Sequence, residues 1–287
     1  MRRKIRVSRK LSQRIALGIL ILATILVIIP VLFIIIQIIV NGSGAISWEF
    51  LTQPPSDAGR AGGILPAIIG TLYLMLGTII IALPIGVLAG IYLTEYARDN
   101  WLTRLINMAI MNLAGVPSII YGLFGLGVFV LAMNFGMSLL AASLTLACQA
   151  LAMTITTSRE AILAVPRDYR EASLAIGATK LQTVRHVVLP QARPGIITGA
   201  VLAMSRAAGE TAPILVVGAA FLLPGLPQSP FDQFMALPYH LYTVAAHVPG
   251  VPEATMWGVA LVLMVVVLSF NIVATVIRLR ARRRRST

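Results

Sequence analysis

Long stretches of this chain carry no charged residue, and each of them is long enough to hold a helix that crosses a lipid bilayer. About 20 apolar residues in a helix span the hydrocarbon core of a membrane. The sequence contains five such stretches: residues 15–40, 61–94, 105–158, 211–231 and 254–277. Their length and apolar character predict an all-α integral membrane protein.

Two of the stretches do not correspond to one helix each. Residues 105–158 are too long for one crossing, and the polar, turn-like sequence Asn134-Phe135-Gly136 divides them into two. The stretch 211–231 becomes a full-length helix when it is extended back to Pro194, across Arg206 and Glu210. We therefore predict six transmembrane helices, at residues 15–40, 65–93, 105–132, 137–158, 194–222 and 254–277.

The composition agrees with a membrane location. Of the 287 residues, 58 % are hydrophobic and 11 % are charged, whereas soluble domains carry about 25 % charged residues. This excludes a water-soluble domain. The first predicted helix is 26 residues long and lacks a small-residue cleavage site, so we expect it to be retained rather than removed as a signal peptide.

Lysine and arginine orient the predicted topology. An even number of helices places both tails, 1–14 and 278–287, on one side of the membrane. These tails and the loops on the same side hold all 23 Lys and Arg residues except Arg60, in an opposite loop, and Arg206, within a helix. The positive-inside rule then predicts cytoplasmic termini. Basic segments beside a membrane attract anionic lipid, which accounts for the net charge of +13 without nucleic-acid binding.

The sequence offers no motif for nucleotide hydrolysis or metal binding. A phosphate-binding loop ends in Gly-Lys-Ser/Thr, whereas Lys180 is followed by Leu181. The three histidines are too dispersed for a metal site, and His240 and His247 are expected to be interfacial loop residues. The single cysteine, Cys148, excludes an intramolecular disulfide. We expect no enzyme activity, cofactor or metal in this chain.

Residues 159–193 form the one long connection on the predicted cytoplasmic side. They are predicted to form two helices, one around Pro166–Ile176 and one from Thr179 towards Leu189, with Gly177 between them. The charged residues of this connection lie on one face and its apolar residues recur at helical spacing. The apolar residues are Ala172, Leu174, Ala175, Leu181, Val184, Val187 and Val188. An amphipathic segment of this kind favours contact with a partner protein or the membrane surface.

The same connection resembles the EAA loop of bacterial ABC importer permeases. The matching residues are Glu171-Ala172-Ser173, Gly177, Val187 and Leu189-Pro190, with Ser173 and Val187 in place of the usual Ala and Ile. In that family the loop forms a short coupling helix that docks on an ATPase subunit. The resemblance implies ATPase coupling through Arg170, Glu171, Ala172, Gly177, Leu189 and Pro190.

A second set of residues resembles phosphate importer permeases of the PstA type. The matching segments are Ser205–Pro213, Val116–Gly125 and Leu237–Tyr242. The resemblance implies a type I ABC importer (MetI-like) permease domain over 65–277, preceded by the separate helix 15–40. It also implies a substrate pathway with Arg206, Glu210, Ser205 and Thr211, and gating or kink positions at Pro117, Gly122 and Pro213.

Arg206 and Glu210 are the only charged residues inside a predicted helix. An Arg at the bilayer centre costs about 2.5–3.5 kcal/mol on insertion scales, so it should face protein or a wet cavity. At positions i and i+4 the two side chains lie on one helix face and can pair. Two interpretations remain: a site in the substrate pathway, or a structural pair that joins helices.

The resemblance also implies partners and a location. They are a PstC-type permease, two PstB-type ATPases that carry ATP and Mg²⁺, a PstS-type external phosphate-binding protein, and a bacterial or archaeal plasma (inner) membrane. One alternative is an ABC permease for sulfate, molybdate or another small anion. The other is a secondary transporter or channel that works alone.

Overall fold

A computed structural model describes residues 9–223 and 225–283. Residues 1–8 and 284–287, the outer parts of the two predicted basic tails, lie outside the described residues. The inner parts of both tails continue the adjoining helices, because the first helix begins at Arg9 and the last ends at Arg283. The predicted helices at 15–40 and 254–277 are therefore both longer than the hydrophobic pattern indicated.

The first half of the chain is mostly helical and contains one small hairpin. Its elements are α1 (Arg9–Ser43), α2 (Trp48–Thr52), β1 (Pro55–Ser56), a 3-10 turn (Asp57–Gly59), β2 (Ala61–Gly62), α3 (Leu65–Ile91), α4 (Trp101–Ala114) and α5 (Ser118–Gly125). Strands β1 and β2 pair antiparallel. Helix α3 continues as a π-helical turn, Tyr92–Tyr96, and α5 continues as Leu126–Ala132 in the same form.

The second half carries the helices that build the candidate site. They are α6 (Leu139–Leu163), α7 (Arg167–Ala175), α8 (Lys180–Thr183), a π-helical turn (Val184–Val188), α9 (Leu189–Ala208), α10 (Ala212–Leu215), α11 (Leu237–Ala246) and α12 (Glu253–Arg283). Within the described residues, five helical segments are long and apolar enough to cross a membrane, and α4 with α5 forms a bent pair that can make a sixth crossing.

The prediction of one continuous helix at 105–132 is wrong. The chain bends by 106° between Ala114 and Ser118. The bend coincides with Gly115 and Pro117. Proline has no N–H for the helix ladder and disfavours the helical conformation in the residue before it, so the helix ends there and a new one begins.

The bent pair nevertheless returns the chain across the membrane. Helices α3 and α6 pack in parallel: a Cβ built on Gly77 would meet the side chain of Ser143, and one on Gly90 would lie 2.9 Å from Cβ of Ser158. Both helices therefore start at the same end of the bundle. The chain between them must travel back, so α4 and α5 together make one crossing and the total of six is retained.

The predicted helix at 194–222 is wrong at its C-terminal end. Helix α9 ends at Ala208, and the chain continues as the short α10. An irregular segment follows, of which the structure describes residues 216–223 and 225–236. Gly209 and Pro213 interrupt the helix because one has no side chain and the other no N–H. Backbone without regular structure survives at membrane depth only where it is buried in protein or lines a water-filled cavity. Phe234, Met235 and Ala236 of this segment are fully buried.

The irregular segment also supplies hydrogen-bond acceptors for the first backbone N–H groups of α6. The backbone N–H groups of Ser138, Leu139 and Leu140 donate to the carbonyls of Val217 (3.2 Å), Asp232 (2.9 Å) and Pro230 (2.8 Å). A helix leaves its first N–H groups without partners within the helix. The segment therefore caps α6 and fixes it relative to the break after α9.

The two predicted external loops, 41–64 and 223–253, lie at the same end of the bundle. Arg60 Nε donates to the carbonyl of Pro249 at 3.0 Å. The end of α1 meets the start of α12, because a Cβ built on Gly42 would lie 2.6 Å from the carbonyl oxygen of Trp257. The other ends of α1 and α12 are thus at the opposite end of the bundle. Assigning that end to the cytoplasm stays a prediction from the basic residues.

Candidate functional site

Arg206 and Glu210 pair at the break in the fifth crossing. Arg206 Nε lies 3.4 Å from Glu210 Oε1. The pair forms although the helix has ended, because the N–H groups of Gly209 and Glu210 bond back to the carbonyls of Arg206 (3.1 Å) and Ala207 (3.3 Å). Arg206 occupies the last turn of α9, where a cation interacts favourably with the helix dipole. The two residues therefore share a helix end and not the face of a continuous helix.

Gln149 of α6 is the third member of this cluster. Its Nε2 donates to Glu210 Oε1 at 2.6 Å, across 61 residues of sequence. Its own Oε1 is buried and has no hydrogen-bond partner among the described residues. The sequence analysis did not single out Gln149. It is the one amide side chain in the predicted helix 137–158. Such side chains often hydrogen-bond to other helices in membranes, so this was a usable signal.

The cluster sits near the middle of the bundle. Gln149 lies ten residues after the start of α6, which places it about 15 Å along the helix axis. The Arg206 side chain is 53 % exposed and the Glu210 side chain 15 % exposed. A small, partly open pocket lies beside them. It is lined by Leu146, Gln149, Ala150, Met153, Ala203, Arg206, Ala207 and Glu210.

The other two residues predicted for a substrate pathway occupy different surroundings. Ser205 donates to the carbonyl of Val201 at 2.9 Å and hydrogen-bonds the side chain of Asn271, so it joins α9 to α12. Thr211 is half-buried and precedes α10, where its carbonyl accepts from the N–H of Leu215 at 3.2 Å. The structure thus brings Arg206 and Glu210 together and uses Ser205 in helix packing.

The three gating or kink positions lie at two breaks that touch. Pro117 precedes α5 at the 106° bend, and Pro213 opens α10 after the break in the fifth crossing. A Cβ built on Gly122 of α5 would lie 2.8 Å from Cα of Pro213. Tyr121 also donates to the carbonyl of Leu113 at 2.8 Å, across the bend. The bent third crossing and the broken fifth crossing therefore pack directly on each other.

The residues predicted for ATPase coupling divide between an outer and an inner group. Glu171 and Ala172 are exposed on α7. Gly177 has φ 87° and connects α7 to α8, a left-handed conformation that glycine adopts without strain. Arg170 points inward and contacts Glu95 of the α3 extension. Leu189 and Pro190 begin α9, which is continuous with α8, so the predicted second cytoplasmic helix and the fifth crossing are one helical segment, Lys180–Ala208.

The apolar residues predicted for this connection divide between buried and exposed positions. Val184 and Val188 are buried, whereas Leu174 and Leu181 are exposed to 50 % and 66 %, and the neighbouring Ile176 to 87 %. The buried valines anchor the connection on the transmembrane helices. The exposed residues form an apolar outer surface beside Glu171.

His240 is buried, which corrects its assignment as an interfacial loop residue. Its side chain is 1 % exposed, and its ring stacks on Phe221 with ring centroids 5.5 Å apart. Burial lowers the pKa of His240 to about 4, although a backbone hydrogen bond with Phe221 opposes the shift. His240 is therefore neutral at pH 7. No group of three or more His, Cys, Asp or Glu residues suited to a metal ion occurs in the part of the chain that the structure describes.

Residues 82–283 match the family model described as "Binding-protein-dependent transport system inner membrane component". The match covers α6, α9 and the connection between them, so it includes both the Arg206–Glu210–Gln149 cluster and the predicted coupling residues. It begins inside α3 and excludes α1.

The chain is also similar to curated proteins over nearly its whole length. It is 33 % identical over 280 residues to the "Probable ABC transporter permease protein YqgI" of Bacillus subtilis (strain 168), covering 93 % of this chain and 95 % of that protein. It is 34 % identical over 262 residues to the "Probable phosphate transport system permease protein PstA" of Methanocaldococcus jannaschii, covering 91 % of this chain and 92 % of that protein. These relatives confirm the resemblance to PstA-type proteins.

A solved structure supports the fold. A chain in "Inward facing conformations of the MetNI methionine ABC transporter: CY5 native crystal form" superimposes with a TM-score of 0.63 at 22 % identity, covering 76 % of this chain and 95 % of that one. The predicted MetI-like, all-α permease fold is therefore confirmed.

Proposed function

Because the chain belongs to the family of inner membrane components of binding-protein-dependent transport systems, we propose that it is the permease subunit of an ATP-driven importer of inorganic phosphate. Family membership makes it a multi-pass transport subunit of the inner membrane rather than an enzyme. It also implies an ATPase and a substrate-binding protein as partners. The choice of phosphate is our proposal, supported by the PstA relatives and by the chemistry of the cluster at mid-membrane.

One observation carries the proposal: a half-exposed guanidinium at the middle of the bundle. Phosphate in an apolar cavity needs a cation and hydrogen-bond donors to replace its hydration shell. Arg206 supplies a permanent charge and several N–H donors in a planar fork that matches phosphate oxygens. More than half of its side chain remains exposed. It is thus available to a passing anion.

Glu210 and Gln149 suit an anion that must leave as well as enter. Glu210 is mostly covered and accepts hydrogen bonds from Gln149 at 2.6 Å and Arg206 at 3.4 Å. Its negative charge offsets part of the attraction between Arg206 and an anion. Gln149 holds the carboxylate in place from another helix. The arrangement favours weak, transient binding, which transport requires.

The working complex that we propose contains four kinds of subunit. They are this chain, a homologous PstC-type permease, two PstB-type ATPases that bind ATP and Mg²⁺, and a PstS-type phosphate-binding protein. ATP binding would displace the connection around Glu171 and open the cavity outward. In this complex, both termini of the chain would lie in the cytoplasm.

Reconstitution into vesicles tests the proposal. The purified complex, with its binding protein outside and ATP inside, should accumulate radiolabelled phosphate, and neither sulfate nor molybdate in excess should compete. Accumulation of sulfate or molybdate would assign the chain to another anion. Uptake without any associated ATPase would contradict the ATP-driven mechanism.

A further inference from the structure

A single arginine joins the predicted coupling helix to two transmembrane helices. The guanidinium of Arg170, on α7, donates to Glu95 Oε1 at 2.9 and 3.1 Å. It also donates to the carbonyls of Ile162 (2.8 Å) and Val165 (2.6 Å), at the end of α6. Glu95 belongs to the π-helical extension of α3. One side chain therefore contacts α3, α6 and α7 at once.

This junction is largely shielded from water. The Arg170 and Glu95 side chains are 19 % and 10 % exposed. The last carbonyls of a helix lack partners within the helix and carry its negative dipole end, so a cation there satisfies them. Removing one member of a shielded ion pair leaves the other charge uncompensated and is strongly unfavourable. The contacts are thus hard to break without consequence.

Two further contacts hold the same region. The Nζ atom of Lys180, on α8, lies 5.2 Å from the ring centroid of Tyr96, the residue after Glu95. The hydroxyls of Ser173 and Thr183 hydrogen-bond at 3.0 Å and join α7 to α8. Both hydroxyl residues are buried. The end of α3 is therefore held from both sides of the turn at Gly177.

Helices α3 and α6 are in turn packed closely against each other. A Cβ built on Gly86 would lie 2.6 Å from the Thr154 side chain, and one on Gly90 would lie 2.9 Å from Ser158. Small residues that allow such close approach are the usual means of tight packing in membranes. Helix α6 also carries Gln149, which binds Glu210.

We propose that Arg170 and Glu95 are positioning residues that make α3, α6 and α7 move as one rigid body. Movement of α7 by the ATPase then reaches the Gln149–Glu210 contact through α6. Without the junction, α7 can move while α6 stays in place. This inference rests on the proposed function only in requiring an ATPase that acts on α7, and it holds for any transported anion.

Coupling between ATP hydrolysis and uptake tests the proposal. In the reconstituted complex, Glu95→Gln should lower the anion taken up per ATP hydrolysed by about tenfold or more, while subunit assembly and basal ATP hydrolysis persist. Arg170→Lys keeps the charge but replaces the planar five-donor fork with one ammonium group, which cannot reach all the acceptors, so it should give a smaller loss. The matched control is Asp99→Asn, which breaks the ion pair between Asp99 and Arg104. Both side chains of this pair are exposed, Asp99 to 80 % and Arg104 to 69 %. The Asp99→Asn variant should leave the amount of anion taken up per ATP hydrolysed unchanged.

A distance measurement separates positioning from simple stability. Spin labels on cysteines at the exposed positions Leu174 (α7) and Tyr73 (α3), in a Cys148→Ala background, report on α7 relative to α3. In the otherwise unaltered complex, trapping ATP should leave this distance unchanged. In Glu95→Gln, trapping ATP should change it.

Two results would overturn the proposal: a shift of this distance on ATP trapping in the unaltered complex, or an unchanged coupling ratio in Glu95→Gln. Failure of the proposed substrate is distinguishable from both. In that case the complex would hydrolyse ATP and keep the α7–α3 distance but accumulate no phosphate.

Discussion

Residues that disturb the hydrophobic pattern of this chain are the ones that define its candidate site. Arg206, Glu210 and Gln149 are polar side chains in otherwise apolar surroundings, and they come together from two different crossings. A charged group at this depth is tolerated only with a partner or with access to water. Glu210 has partners, and Arg206 has both a partner and an exposed surface. That difference suggests that the arginine is the member that meets the substrate.

Replacing Arg206 should separate a transport role from a structural one. Arg206→Gln removes the charge at similar size and should lower uptake by roughly ten- to a hundredfold, since hydrogen bonds to charged groups contribute about 1.5–3 kcal/mol. The complex should still assemble, because the side chain is half-exposed. Uptake and subunit co-purification are measured together.

The double variant Arg206→Gln/Glu210→Gln is the matching control. A purely structural ion pair replaced by two neutral amides leaves no uncompensated charge, so transport should return. A site that uses Arg206 to bind an anion should stay inactive. Recovered uptake in the double variant would therefore reduce the pair to a helix contact.

His240 gives the folded protein a dependence on pH. Its pKa is lowered to about 4 by burial, whereas an exposed histidine titrates near 6.5. Between these values the unfolded chain binds a proton that the folded chain does not, so stability falls as pH drops from about 6.5 to 4, by at most about 3 kcal/mol. Thermal unfolding of the detergent-solubilised protein should show this, and His240→Gln should flatten the profile. An equal pH dependence in His240→Gln would contradict the assignment.

At the scale of the elements, the two interrupted crossings act as one unit. The bend before α5 and the break after α9 meet where Gly122 contacts Pro213. The irregular segment that follows α10 caps α6 through three backbone hydrogen bonds. Each interruption is thereby supported by the other, which is how irregular backbone is accommodated within a membrane.

Gly122→Ala should disturb this contact. Its new Cβ would lie 2.8 Å from Cα of Pro213, too close for van der Waals contact with rigid backbone. Such overpacking should destabilise the protein by about 1–3 kcal/mol and lower uptake. Gly127→Ala is the control, because a Cβ there meets no atom within 4 Å. Thermal unfolding and uptake of both variants provide the comparison; equal stability would show that α5 can shift freely.

At the scale of the whole molecule, six crossings place both described chain ends on the side of the α7–α8 connection. The parallel packing of α3 and α6 requires the chain between them to return across the bundle, which agrees with this count, as does the contact between loops 41–64 and 223–253. The distribution of basic residues then assigns that side to the cytoplasm. The structure fixes the relative sides of these segments, and their assignment to the cytoplasm or the exterior stays a prediction from the charge distribution.

Cysteine labelling tests the assignment. In a Cys148→Ala background, cysteines at Ser56 and Ser229 should react with an impermeant thiol reagent added outside intact cells. A cysteine at Leu181, which is 66 % exposed, should react only after the membrane is opened. The opposite pattern would invert the topology.

The sequence alone determined the class of fold, the number of crossings and the location of the Arg206–Glu210 pair. These features depend on local properties: runs of apolar residues, the cost of charge in lipid, and the bias of basic residues. Motif resemblance added the family and the prediction that residues around Glu171 couple to an ATPase. Each of these can be recognised without knowing which helices touch.

Only the tertiary structure decided where the helices break and what holds the site. The sequence predicted a kink at Pro117 but continuous helices through Gly115 and Gly209, because lipid-embedded helices often contain Gly and Pro. Packing of the irregular segment against α6 makes the breaks stable. Gln149 and Glu95 lie 61 and 75 residues from their partners. Their roles depend on contacts between distant helices, which no local pattern of one chain encodes.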